Sequence, residues 1–124
     1  MSWKQEIFRA LLLSLGAFEV LSNLNFILRK NGLQLARKQH QELPKNISDK
    51  KMLTKVVLML LFGAAFFSVS LISYITHGFI TNAFLCVLIL FCAYGVCEAV
   101  YYRYWRTFGF ASLTVILLSV FIFV

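Results

Sequence analysis

Charged residues are scarce in this sequence. Asp, Glu, Lys and Arg make up 14% of its 124 residues, whereas hydrophobic residues make up 60%. A water-soluble domain of this length needs more polar side chains than that to cover its surface. Residues 56–76 contain no Asp, Glu, Lys, Arg or His, and an apolar run of about 20 residues is long enough to cross a bilayer. The composition therefore excludes a soluble globule and predicts an integral membrane protein.

Acids, histidines and catalytic motifs are scarce as well. The chain has five Asp and Glu residues and two His, and it contains no G-x-S-x-G, H-E-x-x-H or phosphate-loop motif. Catalysis usually needs several ionisable groups that converge on one site. We therefore expect no enzyme activity, no catalytic residues and no cofactor.

The cysteines do not form a C-x-x-C motif. Cys86, Cys92 and Cys97 lie in one apolar segment, at intervals that put neighbours on different faces of a helix. This spacing predicts neither a metal site nor an intrahelical disulfide. Free thiols that pack as small hydrophobic side chains are the simpler interpretation.

Four apolar segments account for most of the chain. Their approximate bounds are residues 7–28, 56–76, 79–102 and 108–124. Only His77 and Gly78 separate the second segment from the third, which predicts a tight antiparallel hairpin. Residues 1–124 are thus predicted to form one all-α domain of four transmembrane helices in a compact antiparallel bundle. A basic loop, residues 29–55, joins the first helix to the second.

Basic residues are distributed unequally between the two sides of such a bundle. The formal net charge is +7; eight of the twelve Lys and Arg lie in residues 29–55 and two in residues 103–107. Four spans place these loops on the same side, and cytoplasmic loops carry an excess of Lys and Arg. We therefore expect both loops in the cytoplasm and both termini outside, in a multi-pass protein of the cell membrane. Low proline content and short connections fit a bacterial inner membrane. Because topology explains the charge, we expect no nucleic-acid partner.

The long loop has an amphipathic pattern. Apolar residues and one histidine recur in it at intervals of three and four: Leu33, Ala36, His40 and Leu43. The pattern predicts a short helix that stops at Pro44, and Ser48 is placed to cap the second span. The loop is either a solvated connector that skims the membrane or a docking surface for anionic lipid or a cytoplasmic partner. In the second case the contact residues would be Arg37, Lys38, Lys45, Lys50 and Lys51.

The first span contains polar residues in its apolar run. At 100° per residue, one stripe about 80° wide contains Leu12, Gly16, Glu19, Asn23, Phe26 and Lys30. Glu19 lies about 15 Å along the helix from Arg29 at the end of the span, which is too far for its carboxylate to reach water. A lipid-facing carboxylate at that depth would cost several kcal/mol. The stripe is therefore predicted to face other helices or water.

The third span contains a second acid, Glu98, five residues before Arg103. Aromatic residues flank it at helical offsets: Tyr94, Tyr101, Tyr102 and Trp105. One interpretation is an interfacial aromatic belt in which Glu98 pairs with Arg106 or a loop lysine. The other is an acidic aromatic box that binds an organic cation.

Small residues predict close packing of the helices. The third span contains two pairs of small residues at a spacing of four, Ala93 with Cys97 and Gly95 with Ala99. Such pairs allow helix backbones to approach each other in lipid. We expect either a homo-oligomer or a subunit of a membrane complex.

The length, the sequence GAFEV around Glu19 and the tyrosine-rich third span resemble the small multidrug resistance exporters. That resemblance implies that Glu19 binds a proton or a cation in a small coupled transporter or channel. The chain departs from that family in its long first loop and in its biased loop charge.

The simpler prediction is a non-catalytic accessory, regulatory or immunity-type protein that binds another membrane protein or itself. Glu19 and Asn23 would then be interhelical contacts.

Overall fold

The computed structural model describes residues 2–124, and within that range it contains helices and no strand. Five helices follow one another: α1 (Trp3–Leu28), α2 (Gly32–Gln39), α3 (Asp49–Thr76), α4 (Thr81–Tyr102) and α5 (Trp105–Phe123). All but α2 are long and apolar enough to cross a membrane. The prediction of an all-α chain with four candidate spans is therefore confirmed.

Two serines explain where the long helices begin. The Ser2 hydroxyl accepts a hydrogen bond from the Gln5 backbone N–H, and the Gln5 side chain accepts one from the Ser2 N–H, which makes a capping box. The Ser48 hydroxyl likewise accepts from the Lys51 N–H. Each cap satisfies backbone donors that a helix start leaves unpaired. The prediction that Ser48 caps the second span is confirmed.

The helices differ from the predicted segments at their ends. Helix α1 begins at Trp3 and α3 at Asp49, several residues before the apolar runs, because the caps and polar first turns extend them. Helix α5 has 19 residues, about 28 Å. Helix α2 ends at Gln39, so the prediction that it continues to Pro44 is wrong. Because α3 begins at Asp49, the connector, which we define as residues 29–48, is shorter than the predicted loop 29–55.

Two helix pairs run in opposite directions. Along α1 and α3, the Arg9 guanidinium lies over the Tyr74 ring at one end, while Phe26 and Met52 share a core cluster at the other. Helices α4 and α5 pair in the same way, with Gly95 packed on Thr114. The C-terminus of α1, the N-terminus of α3 and the α4–α5 turn therefore lie at one end of the protein.

Aromatic rings join the two pairs. The Phe91 ring of α4 meets Phe62 and Phe66 of α3 at centroid distances of 5.2 and 5.1 Å, and Phe8 of α1 meets Phe121 of α5 at 5.0 Å. Edge-to-face rings pack favourably beyond their buried area. This packing matters because apolar burial alone drives little association between helices inside a bilayer.

The connector folds back onto the helices. Ala36 and Leu43 are buried in a cluster with Phe26, Met52 and Val56. The apolar side of the connector therefore forms part of the protein core and places the residues between α2 and α3 next to the protein interior.

Candidate functional site

Polar side chains from α1, the connector, α3 and α4 meet in the interior. We call this set the polar chain: Glu19, Asn23, His40, Glu42, Lys55, Tyr94 and Glu98. All except Glu42 and Tyr94 are buried, and those two are half-buried. Buried polar groups destabilise a protein unless they are paired. The contacts among the members of the polar chain therefore determine whether their burial is tolerated.

The polar chain begins on α1 with Glu19 and Asn23. Asn23 is fully buried, and its Nδ2 donates to the Glu19 carboxylate at 2.8 Å and to the Glu19 backbone carbonyl at 2.7 Å. Since these two bonds occupy the amide N–H groups, the Asn23 Oδ1 points away from Glu19. The predicted stripe faces protein, with the exception of Lys30, which is exposed.

His40 carries the polar chain from α1 to the connector. Its Nε2 lies 2.9 Å from Asn23 Oδ1, and its Nδ1 lies 3.5 Å from Glu42 Oε1. Both ring nitrogens thus face oxygen atoms of neighbouring side chains. His40 links the intramembrane acid of α1 to an acid of the connector.

Lys55 is the centre of the second half of the polar chain, which also contains Glu42, Tyr94 and Glu98. Its Nζ lies 3.0 Å from Glu42 Oε1 and 2.8 Å from Glu98 Oε1, and its side chain is 1% exposed. The ammonium also lies over the Phe110 ring, 4.2 Å from the centroid, a geometry that favours a cation. One buried lysine therefore neutralises acids from two separate elements.

Glu42 is ionised in this setting. Burial raises the pKa of its carboxyl, but the hydrogen bond with His40 and the Lys55 ammonium outweigh burial and bring the pKa down to about 2. A group whose pKa is lowered on folding stabilises the fold at every pH above its ordinary value of 4.5. That stabilisation is lost only as the pH falls from about 4.5 through about 2.

Further bonds fasten the connector to α5. The Thr107 hydroxyl donates to the Glu42 backbone carbonyl, and the Arg106 guanidinium donates to the Gln41 side chain at 3.2 Å. The connector is thus tied to α1 through His40, to α3 through Lys55 and to α5 through Thr107.

A cavity of about 550 Å³ adjoins the polar chain, between α1 and α5. Its polar end is formed by Glu19, Gln39, His40 and Glu42, and the rest of its lining is almost entirely apolar or aromatic. Pockets of this size with few polar groups are typical of small-molecule sites. The cavity could therefore accept an apolar or amphipathic molecule.

The second predicted acid, Glu98, pairs with Lys55, one of the loop lysines that the aromatic-belt interpretation allowed, and not with Arg106. Its other carboxylate oxygen accepts from the Tyr94 hydroxyl. Arg106 instead packs on the Trp105 ring.

Three of the four predicted aromatic residues, Tyr94, Tyr101 and Tyr102, line one cavity of about 380 Å³ together with Glu98, whereas Trp105 does not line it. Tyr101 is exposed and packs edge-on against Tyr102, while Trp105 is exposed and lies against Tyr104. Lys51 and Lys55 occupy the faces of Tyr101 and Tyr94. The chain's own cations therefore take the positions that an organic cation would need in the aromatic-box interpretation.

The predicted basic contacts divide into two kinds. Arg37 is held within the protein, because its guanidinium donates to the Ile47 carbonyl and to Asp49 at 2.8 and 2.7 Å. The others are exposed: Lys38, Lys45, Lys50 and Lys51.

Sequence reasoning missed three members of the polar chain. None of the three was predicted as a site residue: all were placed in the loop, and Lys55 was only one of several loop lysines that could pair with Glu98, whereas the structure packs them against the helices. One signal was available: His40 stood on the apolar side of the amphipathic pattern. Nothing in the spacing of Glu42 and Lys55 indicated that they pair.

The described residues contain no group of three or more His, Cys, Asp or Glu side chains that could hold a metal ion. The chain matches no protein-family model, no curated protein and no solved structure.

Proposed function

We propose that this chain is a non-catalytic membrane protein that acts by binding a second copy of itself or another membrane protein. The observation that carries the proposal is the outer face of α4. Of its two small-residue pairs, Gly95 and Ala99 are buried, with Gly95 packed on α5, while Ala93 and Cys97 are exposed. The exposed pair is free to receive a helix from outside the chain.

The geometry of α4 supports such an interface. Cys86 is also exposed and lies eleven residues before Cys97, so the two share one face with Ala93. Small side chains let a second backbone approach closely, which is a main source of helix association in lipid.

The polar chain supports a structural role for its members. Each carboxylate of the polar chain has a hydrogen-bond donor or a cation among the other members. None of them therefore needs a substrate to complete its pairing. Its bonds hold the connector over the helix ends and keep the bundle in one arrangement.

We further propose that the four candidate spans form a compact antiparallel bundle in the cell membrane, with residues 29–55 and 103–107 in the cytoplasm and both termini outside. The excess of Lys and Arg in these two segments supports this orientation. A cysteine introduced at the exposed Lys45 that reacts only with impermeant reagent added outside the cell would contradict it.

Oxidative cross-linking tests the α4 interface. In membranes treated with a copper oxidant, we expect a variant that retains only Cys97 to form a disulfide-linked dimer, because Cys97 lies on the exposed pair. Gel electrophoresis without reductant measures the dimer. A variant that retains only the half-buried Cys92 is the matched control and should stay monomeric.

Two further observations complete this test. Ala93→Leu should reduce the Cys97 dimer several-fold, because a large side chain separates the backbones. A chain that neither cross-links nor co-purifies with another membrane protein in mild detergent would contradict the proposal.

The cavity favours one alternative, a small proton- or cation-coupled transporter that uses Glu19. Glu19 lines the cavity beside His40 and Glu42, and intramembrane acids next to cavities are characteristic of ion pathways. This alternative corresponds to the role implied by the resemblance to the small exporters.

Substitution of Glu19 separates the two functions. If Glu19 has a structural role, Glu19→Gln should be tolerated, because a Gln oxygen still accepts from Asn23 of the same helix, while Glu19→Ala should cost about 1–3 kcal/mol. If Glu19 is a coupling acid, Glu19→Gln should abolish proton flux in proteoliposomes without lowering thermal stability. Flux read with a pH-sensitive dye, together with the melting temperature, decides between them.

A further inference from the structure

A second cavity lies at the protein surface, at the end that carries the connector. This crevice, of about 720 Å³, is formed by the end of α1, the start of α2, residues 45–47 and the start of α3. We propose that the crevice binds an anionic phospholipid of the leaflet that faces the connector. The inference goes beyond the proposed function and holds whether or not the chain associates with a partner.

Cations without a balancing acid line the crevice. Arg29, Lys30 and Lys45 are exposed, and none of them forms an ion pair with another residue in the range 2–124. Asp49 is the one acid among the lining residues, and its carboxylate is already bound by Arg37 at 2.7 Å. Three positive charges therefore remain to attract an anion, and each basic residue near a membrane surface adds to that attraction.

Amide groups add hydrogen-bond donors to the same crevice. Asn31, Gln34 and Asn46 line it beside the cations. Helix α2 begins there, and the Asn31 side chain does not cap it. A phosphate with several oxygens can accept from a cation and from amide donors together.

The crevice also has an apolar wall, which distinguishes a lipid from a soluble anion. Ile27 of α1 is 41% exposed and Leu53 of α3 is 43% exposed, and both line the crevice together with Leu33. These side chains lie at the ends of two candidate spans, where headgroups meet acyl chains. A phospholipid would place its phosphate among the cations and an acyl chain along Ile27 and Leu53.

The structure thus selects a different basic set from the one the sequence indicated. Lys30 and Arg29 join Lys45 at the crevice, whereas Lys38 and Lys50 do not line it. That division supplies a matched pair of variants with the same change in net charge: Lys30→Gln/Lys45→Gln within the crevice and Lys38→Gln/Lys50→Gln outside it.

The test uses full-length protein in mild detergent, titrated with phosphatidylglycerol or with phosphatidylcholine of the same acyl chains. Native mass spectrometry measures the bound lipid. We expect phosphatidylglycerol to bind the unmodified protein at least about tenfold more tightly than phosphatidylcholine. Lys30→Gln/Lys45→Gln should weaken phosphatidylglycerol binding by about tenfold or more, while Lys38→Gln/Lys50→Gln should change it less than about threefold.

Each other outcome overturns the proposal. Equal binding of the two lipids would remove the role of the anionic headgroup. Equal losses in the two double variants would show attraction to surface charge in general. Inorganic phosphate that competes fully with phosphatidylglycerol would identify a soluble anion as the ligand. Because all four substituted lysines are exposed, circular dichroism should show unchanged helix content in both variants.

Discussion

Replacing Lys55 with methionine is expected to destabilise the protein by about 3–5 kcal/mol, the cost of leaving a buried charge without its partner. Lys55 Nζ is the cation within 3.0 Å of both the Glu42 and the Glu98 carboxylates. Methionine fills a similar volume, so the loss would come from two uncompensated acids rather than from a cavity. The melting temperature in mild detergent measures the effect.

A control and a rescue make this prediction specific. Lys50→Met removes an exposed lysine from the first turn of the same helix and should change stability by less than about 0.5 kcal/mol. Adding Glu42→Gln and Glu98→Gln to Lys55→Met should restore part of the lost stability, because neutral amides no longer need a counter-charge. If Lys55→Met had the same melting temperature as the unmodified protein, the assignment of Lys55 as the centre of the polar chain would be contradicted.

The length of the apolar segments was sufficient to predict the four long helices. Residues 56–76 contain no strongly polar group, and such a run has no alternative in lipid because its backbone must satisfy itself. The burial of Glu19 followed from the same physics, since a carboxylate at mid-depth needs protein or water around it. These inferences depend on one segment at a time and need no knowledge of the neighbouring helices.

The second half of the polar chain could not be predicted in that way. The pairing of Glu42 with Lys55 depends on the path of the connector back over the helix ends, which no local pattern encodes. A charge in a loop is usually solvated, so no local pattern indicated that Lys55 lies buried against the Phe110 ring. The aromatic residues near Glu98 show the same limit, because their spacing was helical but the chain's own lysines occupy their faces.

The connector therefore changes the interpretation of the acids in α1 and α4. Glu19 and Glu98 lie on different helix pairs, and the connector residues His40 and Glu42 join them through Asn23 and Lys55. A stabilising role for the polar chain and a transport role for the adjoining cavity both require that the connector stays in place. Substitutions in this segment should then affect the whole bundle rather than a local loop.

A substitution at the close contact between α1 and α3 is expected to cause the second large loss of stability. A Cβ atom on Gly16 would lie 2.5 Å from the Phe67 backbone nitrogen and 2.7 Å from the Gly63 carbonyl oxygen. Because both neighbours are backbone atoms, no side-chain rotation relieves the clash. Gly16→Leu is expected to force the helices apart and to destabilise the protein by about 3 kcal/mol, at the upper end for overpacking. The melting temperature and the free energy of unfolding in detergent measure this loss.

Gly109 provides the matched control. A Cβ atom there meets nothing within 4 Å, so Gly109→Leu should be neutral or stabilising by up to about 1 kcal/mol, since leucine favours a helix more than glycine does. Moving α1 away from α3 should also separate Asn23 from His40, so Gly16→Leu should expose the polar chain to water. We therefore expect faster amide hydrogen exchange at the start of α3 in Gly16→Leu than in Gly109→Leu. Equal stability and equal exchange in the two variants would show that the α1–α3 contact does not determine the packing of this bundle.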